Sequence, residues 1–333
     1  MKKVKRFFAA VISLVLLCPA AAVSAADKEV IIGGMPFGLT MYTSGVIVID
    51  VDDSQNSPAK AAGIKENDII TKANGTEIST NEDIKAIISA SQGEDIELSL
   101  TRGKSPISLS ITPRKNDDGE YEVGMWIRDS AAGLGTVTYF DESSYSFGAL
   151  GHGVFDRDTG MLLPLKSGKM VTAAVTSATK AQKGIAGGLN GFMTDEVIGE
   201  ISVNNGFGVF GRYLCKPDGM RVACADNDEI ETGEAQIYCT VDSDGVKPYD
   251  IMIEKVDADD DTGQNMVIKV TDEELLEKTG GIVQGMSGSP IVQNGKLVGA
   301  VTHVFVNSPK TGFGIAVGNM LESYEKYGGY PES

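Results

Sequence analysis

The chain has 333 residues, of which 42% are hydrophobic, 23% charged and 7% aromatic. This length is enough for two domains, and the composition is that of a folded protein rather than a disordered or collagen-like chain. The net charge is −17, which argues against nucleic acid as a partner and against an anionic membrane surface that binds by charge alone.

The first 26 residues have the pattern of an export signal. Four basic residues, Lys2, Lys3, Lys5 and Arg6, precede an apolar run that ends in small residues up to Ala26. Residues 7–26 are also long enough to span a bilayer if they are not cut, so a cleaved signal and an N-terminal anchor both remain open. In either case we expect an exported, strongly acidic protein.

Cysteines and histidines are few in the rest of the chain. The spacing of Cys215, Cys224 and Cys239 matches no zinc motif, and it leaves two alternatives, a Cys215–Cys224 disulfide or three free thiols. The only histidines are His152 and His303. We therefore expect neither a metal nor another cofactor.

Residues 27–115 predict a small α+β unit. A short helix begins at Ser57-Pro58 and stops at Gly63, and a strand over residues 68–73 leads into the tight turn Asn74-Gly75. A second helix opens at Thr80 and presents apolar residues on one face, and an alternating strand covers residues 96–100.

This order of elements resembles a PDZ domain of the kind found in bacterial proteases. In such domains a loop before the second strand points backbone N–H groups at a peptide carboxylate, and the peptide adds as a strand beside it. The resemblance implies that a peptide or protein tail binds here and places the loop at four residues, Pro36, Phe37, Gly38 and Leu39. Docking onto the protein's own second unit is the alternative.

Residues 116–333 predict a second, mainly β domain. A polar stretch at residues 116–120 is followed by many short strand-like runs separated by glycine and aspartate turns, a pattern typical of a β-sandwich or barrel. The predicted strands cover residues 123–127, 135–140, 169–175, 200–203, 235–240, 250–254, 266–270 and 297–305.

Two glycine-flanked polar residues in this domain suit nucleophilic catalysis. His152 lies in Gly151-His152-Gly153, and an imidazole titrates near neutral pH, as a general base must. Ser287 lies in Gly285-Met286-Ser287-Gly288-Ser289-Pro290, where flanking glycines free the backbone to direct N–H groups at an oxyanion. This layout ahead of a strand is that of chymotrypsin-like serine peptidases. The sequence also predicts a hairpin turn at Asn294-Gly295, before the strand that begins at Leu297.

The acidic partner of this pair is not fixed by the residues alone. Asp156, Asp158, Asp195 and Asp272 all lie between His152 and Ser287 in the sequence. The residues around Asp272 predict that it is the N-cap of a short helix that ends at Gly280-Gly281.

Three long blocks carry a family resemblance. They are Gly124 to Thr136, Phe147 to Gly153, and Thr279 to Val306. These blocks are similar to the sporulation stage IV B serine peptidases (SpoIVB type, peptidase family S55). The resemblance implies a double β-barrel peptidase domain behind the PDZ-like unit, with the catalytic residues His152, Asp272 and Ser287.

Further assignments accompany this triad. The N–H groups of Gly285 and Ser287 form the expected oxyanion hole. His303 is the rival base and Ser289 the rival nucleophile, although Pro290 constrains the backbone of Ser289. Asp272 lies only 15 residues before Ser287, whereas the acid of chymotrypsin-like enzymes lies nearer the histidine.

The resemblance also implies a role in spore formation. Members of this family are exported to the space between the forespore and mother-cell membranes, where they cleave themselves and a membrane-bound regulator of an intramembrane protease. That cleavage activates a late mother-cell transcription factor. The alternative is a catalytically silent adaptor that uses its PDZ-like unit to bind the tail of a membrane protein.

Overall fold

The computed structural model describes residues 28–327, so the predicted export signal lies outside the described residues. Within them the chain forms twenty strands and four α-helices. The strands are β1 Glu29–Ile32, β2 Pro36–Val51, β3 Asp68–Ala73, β4 Thr76–Glu77, β5 Ile96–Arg102, β6 Ser105–Ile111, β7 Arg114–Lys115, β8 Tyr121–Glu122, β9 Met125–Asp141, β10 Ser146–Ala149, β11 Leu165–Thr179, β12 Gly188–Asn205, β13 Gly208–Tyr213, β14 Arg221–Ala223, β15 Gly233–Cys239, β16 Lys247–Val256, β17 Met266–Val270, β18 Pro290–Gln293, β19 Lys296–Phe305 and β20 Ser308–Ala316. The helices are α1 Pro58–Ala62, α2 Asn81–Ala90, α3 Glu273–Thr279 and α4 Val317–Tyr327.

The PDZ-like unit consists of the second half of β2, strands β3 to β6, and helices α1 and α2. Ser57 caps α1, Gly63 ends it with a φ of 80°, and Thr80 forms a capping box at the start of α2. The turn Asn74-Gly75 takes positive φ at both residues. The elements predicted for this unit are therefore confirmed, and they enclose a core of Val46, Val48, Ile70, Ile84, Leu98 and Leu100.

Six strands form the first barrel, in the order β9-β10-β13-β12-β11-β2, and the pairing of β2 with β9 closes the ring. Only the first half of β2 takes part, since residues 36–42 pair with β9 and residues 37–43 pair with β11. Alternate side chains of these strands fill the interior, among them Phe37, Leu39, Val137, Phe147, Met170 and Ile201.

Residues 36–39 do not form the open peptide-binding loop that the PDZ resemblance implied. They begin β2 and lie between two strands, so that Phe37 is in register with Gly135 on one side and with Thr172 on the other. Phe37 is fully buried. A strand that is paired on both edges cannot offer its N–H groups to a peptide carboxylate, so this assignment is corrected.

The strand pairing divides the chain differently from the predicted boundary between residues 115 and 116. Residues 36–43 belong to the first barrel, and strand β1 pairs with β9 beside it. The PDZ-like unit is inserted between the barrel segments of β2 and β9. The two units therefore share two long strands and are not joined by a simple linker.

The second barrel is closed by β15-β16-β17-β20-β19-β18. Helix α3 lies between β17 and β18, and the turn Asn294-Gly295 joins β18 to β19 as predicted. A separate apolar cluster joins the two barrels and the C-terminal helix, and it includes Tyr139, Phe210, Leu297, Ile315 and Met320. The predicted PDZ-like unit and double β-barrel are thus confirmed.

Two further features concern the cysteines and the helices. All three described cysteines are free thiols, with Cys215 exposed and Cys224 and Cys239 buried. Between residues 28 and 327, none of the helices combines the length and the apolar character needed to cross a bilayer.

Candidate active site

The loop that carries Ser287 runs from the end of α3 to β18 and is tightly packed. Gly285 and Gly288 have φ values of 97° and 94°, which favour glycine. A Cβ on Gly288 would lie 2.0 Å from the carbonyl oxygen of Thr136. The Gly288 N–H donates to the carbonyl of Val301 at 2.8 Å. The loop therefore needs glycine at residue 288 because the first barrel presses directly against it.

Strand β9 of the first barrel holds this loop at three points. The Thr136 N–H donates to the carbonyl of Ser287 at 3.0 Å, and the Thr136 hydroxyl donates to the carbonyl of Gly285 at 2.7 Å. The Thr138 hydroxyl donates to the carbonyl of Gly288 at 2.8 Å. Both threonines are buried, so their hydroxyls are shielded from water and donate their hydrogen bonds to the loop instead.

The hairpin between β11 and β12 holds the start of the same loop. Leu189 N–H donates to the carbonyl of Gln284 at 2.8 Å, and Gln284 N–H donates to the carbonyl of Gly187 at 3.0 Å. Together with the hydrogen bond from Gly288 N–H to Val301 on β19 of the second barrel, these contacts place Ser287 between the two barrels.

The two serines of the loop differ in access. Ser287 is half-buried, and its hydroxyl donates to the carbonyl of Thr302 at 2.7 Å. Ser289 is completely buried, and its hydroxyl donates to the carbonyl of Met286 at 2.7 Å. Burial argues against Ser289 as the nucleophile.

His152 lies in the connection from β10 to β11. Its Nδ1 is 2.8 Å from the carbonyl oxygen of Gly153, which can only accept a hydrogen bond, so Nδ1 carries the proton and Nε2 is free to accept one. Burial lowers the pKa of His152 to about 4; the Gly153 carbonyl opposes this shift, and the nearby His303 adds to it. The imidazole is therefore neutral at pH 7.

His152 and Ser287 both lie against residues 301–303 of β19. A Cβ on Gly151 would be 3.0 Å from Cγ2 of Thr302, whose carbonyl accepts the Ser287 hydroxyl. The rings of His152 and His303 stack with centroids 4.7 Å apart and an angle of 35°. Among the described residues, the Ser287 hydroxyl and the His152 ring share no hydrogen bond.

Asp272 occupies the N-cap of α3. One carboxylate oxygen accepts from Leu275 N–H at 2.8 Å, and the other accepts from Asp250 N–H at 3.3 Å. The capping expectation from local chemistry is confirmed. In residues 28–327 no hydrogen bond joins Asp272 to His152, whose Nδ1 is turned to Gly153 instead. The catalytic role of Asp272 stays a prediction.

The other acidic residues considered from the sequence are engaged elsewhere. Asp156 and Asp158 form ion pairs with Arg128, and Asp195 is exposed on β12.

The expected oxyanion hole remains available in this conformation. Within residues 28–327, the N–H groups of Gly285 and Ser287 have no hydrogen-bond partner, whereas the Gly288 N–H is taken by Val301. Two unpaired N–H groups two residues apart in a glycine loop are what the developing charge of a tetrahedral intermediate requires.

Sequence patterns did not identify three residues of the site, Thr136, Thr138 and Thr302. Thr136 and Thr138 alternate with the apolar residues Val137 and Tyr139 along β9, and a polar pair on one face of a buried strand segment is the signal that could have identified them. Thr302 is buried, and its hydroxyl has no partner among the described residues.

Models of known protein families match both the PDZ-like unit and the double β-barrel domain. The model of the SpoIVB peptidase S55 family matches residues 119–321, and the PDZ domain model matches residues 33–112. Among curated proteins, serine protease HTRA1A of Danio rerio is 40% identical over 75 residues, which is 22% of this chain and 15% of that protein. The chain spans only 15% to 21% of the length of the curated relatives it matches.

Solved structures resemble parts of the chain. The PDZ domain of the SdrC-like protein from Listeria monocytogenes is 21% identical, with a TM-score of 0.23, and the match covers 25% of this chain and 87% of that one. The Rv3671c protease of M. tuberculosis in its inactive form is 12% identical, with a TM-score of 0.35, and the match covers 59% of this chain and 85% of that one.

Proposed function

Because the chain belongs to the SpoIVB peptidase S55 family and so carries a serine-peptidase domain, we propose that it is an exported serine endopeptidase. One observation carries the proposal: Ser287 lies in a glycine loop held from both barrels, against the same strand segment as His152. A serine held in this way attacks a peptide carbonyl once a neighbouring base accepts its proton.

The proposed reaction begins with a rotation of the Ser287 hydroxyl from the Thr302 carbonyl towards Nε2 of His152. As Oγ attacks the scissile carbonyl, Nε2 takes its proton, and the N–H groups of Gly285 and Ser287 stabilise the oxyanion. His152 then gives the proton to the leaving amine, and water hydrolyses the acyl-enzyme with His152 again as base. In this proposal Asp272 orients the imidazole, for which Nδ1 has to leave the Gly153 carbonyl.

The proposed substrates are proteins in the extracytoplasmic space. The signal-like residues 1–26 and the family support an enzyme that acts between the forespore and mother-cell membranes, with or without an N-terminal anchor. There it would cleave itself and a membrane-bound regulator, and so release an intramembrane protease that activates a late mother-cell transcription factor.

The test is covalent labelling by a fluorophosphonate together with cleavage of a regulator ectodomain. We expect the chain from residue 27 onward to label and cut, and Ser287→Ala and His152→Ala to lose activity by about 10³-fold or more while remaining folded. Ser289→Ala and His303→Phe are the matched controls and should lose less than about tenfold. Labelling that persists in folded Ser287→Ala would contradict the nucleophile assignment.

One observation favours a second candidate, the catalytically silent adaptor. The Ser287 hydroxyl is bonded to a backbone carbonyl, and His152 Nδ1 is turned to another carbonyl rather than to a carboxylate. A folded wild-type protein that neither labels nor cuts but still binds a peptide would support this candidate.

A further inference from the structure

The side chain of Asn204 lies beside the segment that follows His152. Strand β10 ends at Ala149, which is in register with Val209 on β13, and Val209 is in register with Asn204 on β12. Neighbouring strands are about 4.8 Å apart, so Asn204 lies about 10 Å from the end of β10. The pairing of the first barrel therefore brings Asn204 to the connection that carries His152, although Val154, the residue it binds there, is 50 positions away in the sequence.

Three hydrogen bonds fix the carboxamide of Asn204. Its Oδ1 accepts from Val154 N–H at 2.8 Å, and its Nδ2 donates to the carbonyls of Val154 and Leu163, each at 3.0 Å. The reverse orientation would bring the NH2 group against an N–H and the oxygen against two carbonyls, so the positions of the two atoms are determined. An aspartate at this position could make only the first of the three bonds.

The bond to Val154 N–H acts on His152 through a single peptide group. That N–H and the Gly153 carbonyl belong to the same peptide unit, and in a planar trans peptide the two point in opposite directions. The Gly153 oxygen lies 2.8 Å from Nδ1 of His152. Because hydrogen bonds in series polarise one another, the bond from Val154 N–H to Asn204 strengthens the Gly153 carbonyl as an acceptor for the imidazole.

The end of β12 also packs against this peptide group. A Cβ on Gly153 would lie 2.6 Å from the carbonyl oxygen of Asn205 and 2.5 Å from Cδ1 of Leu162. Gly153 is buried, and Asn204 is half-buried. The peptide group between Gly153 and Val154 is thus both packed and hydrogen-bonded, which leaves it little room to rotate.

The orientation of this peptide group decides which ring nitrogen of His152 can act as a base. A carbonyl at Nδ1 requires the proton on Nδ1, which leaves Nε2 free to take the Ser287 proton. If the peptide group turned over, its N–H would face Nδ1, the proton would move to Nε2, and Nε2 could accept nothing. Within residues 28–327 no side chain bonds to either ring nitrogen, so the Gly153 carbonyl is the group that fixes the tautomer.

We propose that Asn204 is a positioning residue of the peptidase: through the peptide group of Gly153 and Val154, its carboxamide holds His152 in the tautomer that can accept the Ser287 proton. The proposal concerns the state before a substrate binds, in which Nδ1 faces the Gly153 carbonyl and not Asp272. The effect on reactivity rests on the proposed peptidase function, whereas the effect on the tautomer does not.

Two variants separate orientation of the peptide group from simple anchoring of the loop. Asn204→Ala removes all three hydrogen bonds. Asn204→Asp keeps an acceptor for Val154 N–H but loses both donors, so it retains the orientation and loses most of the anchoring. Thr159→Ala is the matched control, because Thr159 braces the same loop through Asp156 and makes no hydrogen bond to the Gly153 carbonyl or to Val154 N–H.

The tautomer arm uses histidine labelled with nitrogen-15 and NMR at pH 7, where the shifts of the ring nitrogens show which one carries the proton. The chain has two histidines, so the spectrum of His303→Phe assigns the His152 signals by elimination. We expect the proton on Nδ1 in the wild type, in Asn204→Asp and in Thr159→Ala. In Asn204→Ala we expect a mixture of the two tautomers or the proton on Nε2.

The reactivity arm measures the rate of fluorophosphonate labelling in variants that circular dichroism shows to be folded. Asn204→Ala should label about 10²-fold more slowly, because the ring has to regain its geometry and tautomer before Ser287 can react. Asn204→Asp and Thr159→Ala should lose less than about tenfold.

The outcomes separate this proposal from the peptidase function. A wild type with the proton on Nε2, or an Asn204→Ala variant with the wild-type tautomer, overturns the proposal whatever the labelling shows. Equal losses in Asn204→Asp and Asn204→Ala overturn it too, since they reduce Asn204 to an anchor of the loop. A changed tautomer with an unchanged rate overturns the effect on reactivity.

Two further outcomes are also decisive. If Asn204→Ala does not fold, Asn204→Asp decides alone: a proton on Nδ1 with a loss of less than about tenfold supports the proposal, and a changed tautomer or a larger loss overturns it. A wild type that never labels contradicts the peptidase function, and the tautomers then decide the role of Asn204 by themselves.

Discussion

The imidazole of His152 is held in a neutral state by its surroundings. Burial lowers its pKa to about 4, and no carboxylate contacts it among the described residues. Because protonated His152 cannot accept the Ser287 proton, the labelling rate should fall as the pH drops through about 4 rather than through 6.5. A pH profile of the labelling rate measures this midpoint. A midpoint at 6.5 or above would show that a negative charge reaches His152 in the reactive conformation.

Asp272 can be tested for its two roles separately. Asn serves as an N-cap about as well as Asp, so Asp272→Asn should change the free energy of unfolding by only a few tenths of a kcal/mol, whereas Asp272→Ala should cost about 1 kcal/mol. If Asp272 orients His152, both variants lose about 10⁴-fold in kcat. Urea unfolding measures the first quantity and the cleavage rate the second. Full activity in Asp272→Asn would restrict this residue to capping.

At the level of elements, the serine loop depends on the close approach of β9. Gly288→Ala places a Cβ against the Thr136 carbonyl at a positive φ, and we expect a loss of at least about 3 kcal/mol in the free energy of unfolding. Gly295→Ala is the matched control, since Gly295 also has a positive φ but nothing lies within 4 Å of its Cβ, and it should cost only about 1 kcal/mol. Equal losses in the two variants would contradict the close-packing argument.

Patterns among neighbouring residues predicted most of the helices, strands and turns. Strand pairing between residues far apart in the chain determined the remaining elements. The caps at Ser57 and Thr80 and the turns at residues 74–75 and 294–295 depend on neighbouring residues, so the sequence alone was sufficient. Residues 36–39 were misplaced because their strand partners, such as Gly135, lie far along the chain and leave no local signal. The surroundings of His152 and Ser287 could not be predicted for the same reason, since Thr302 and Gly153 act through backbone carbonyls, which every residue carries.

For the whole molecule, the insertion of the PDZ-like unit predicts which truncations will fold. Tyr42 on β2 is paired with Ser130 on β9, so replacing residues 43–129 by Asn-Gly joins the two strands by a two-residue hairpin and keeps the first barrel closed. The deletion also removes Arg128, so the variant carries Asp156→Asn to avoid a buried carboxylate without its cation. This variant should fold and label at Ser287. A chain of residues 116–333 lacks β1 and β2 and should not fold. Circular dichroism and labelling check both, and a folded, reactive 116–333 chain would contradict the shared-strand architecture.

The order in which the chain can fold follows from the same insertion. Strand β2 is made early, but its barrel partners β9 and β11 come only after the whole PDZ-like unit. That unit has mostly short-range pairings, so we expect it to form first and to bring residues 47 and 128 together, which shortens the loop that the barrel must close. Pairing would then extend along β2 and β9 towards Pro36 and Thr136. The inserted unit would thus act as the nucleus from which the chain closes its first barrel.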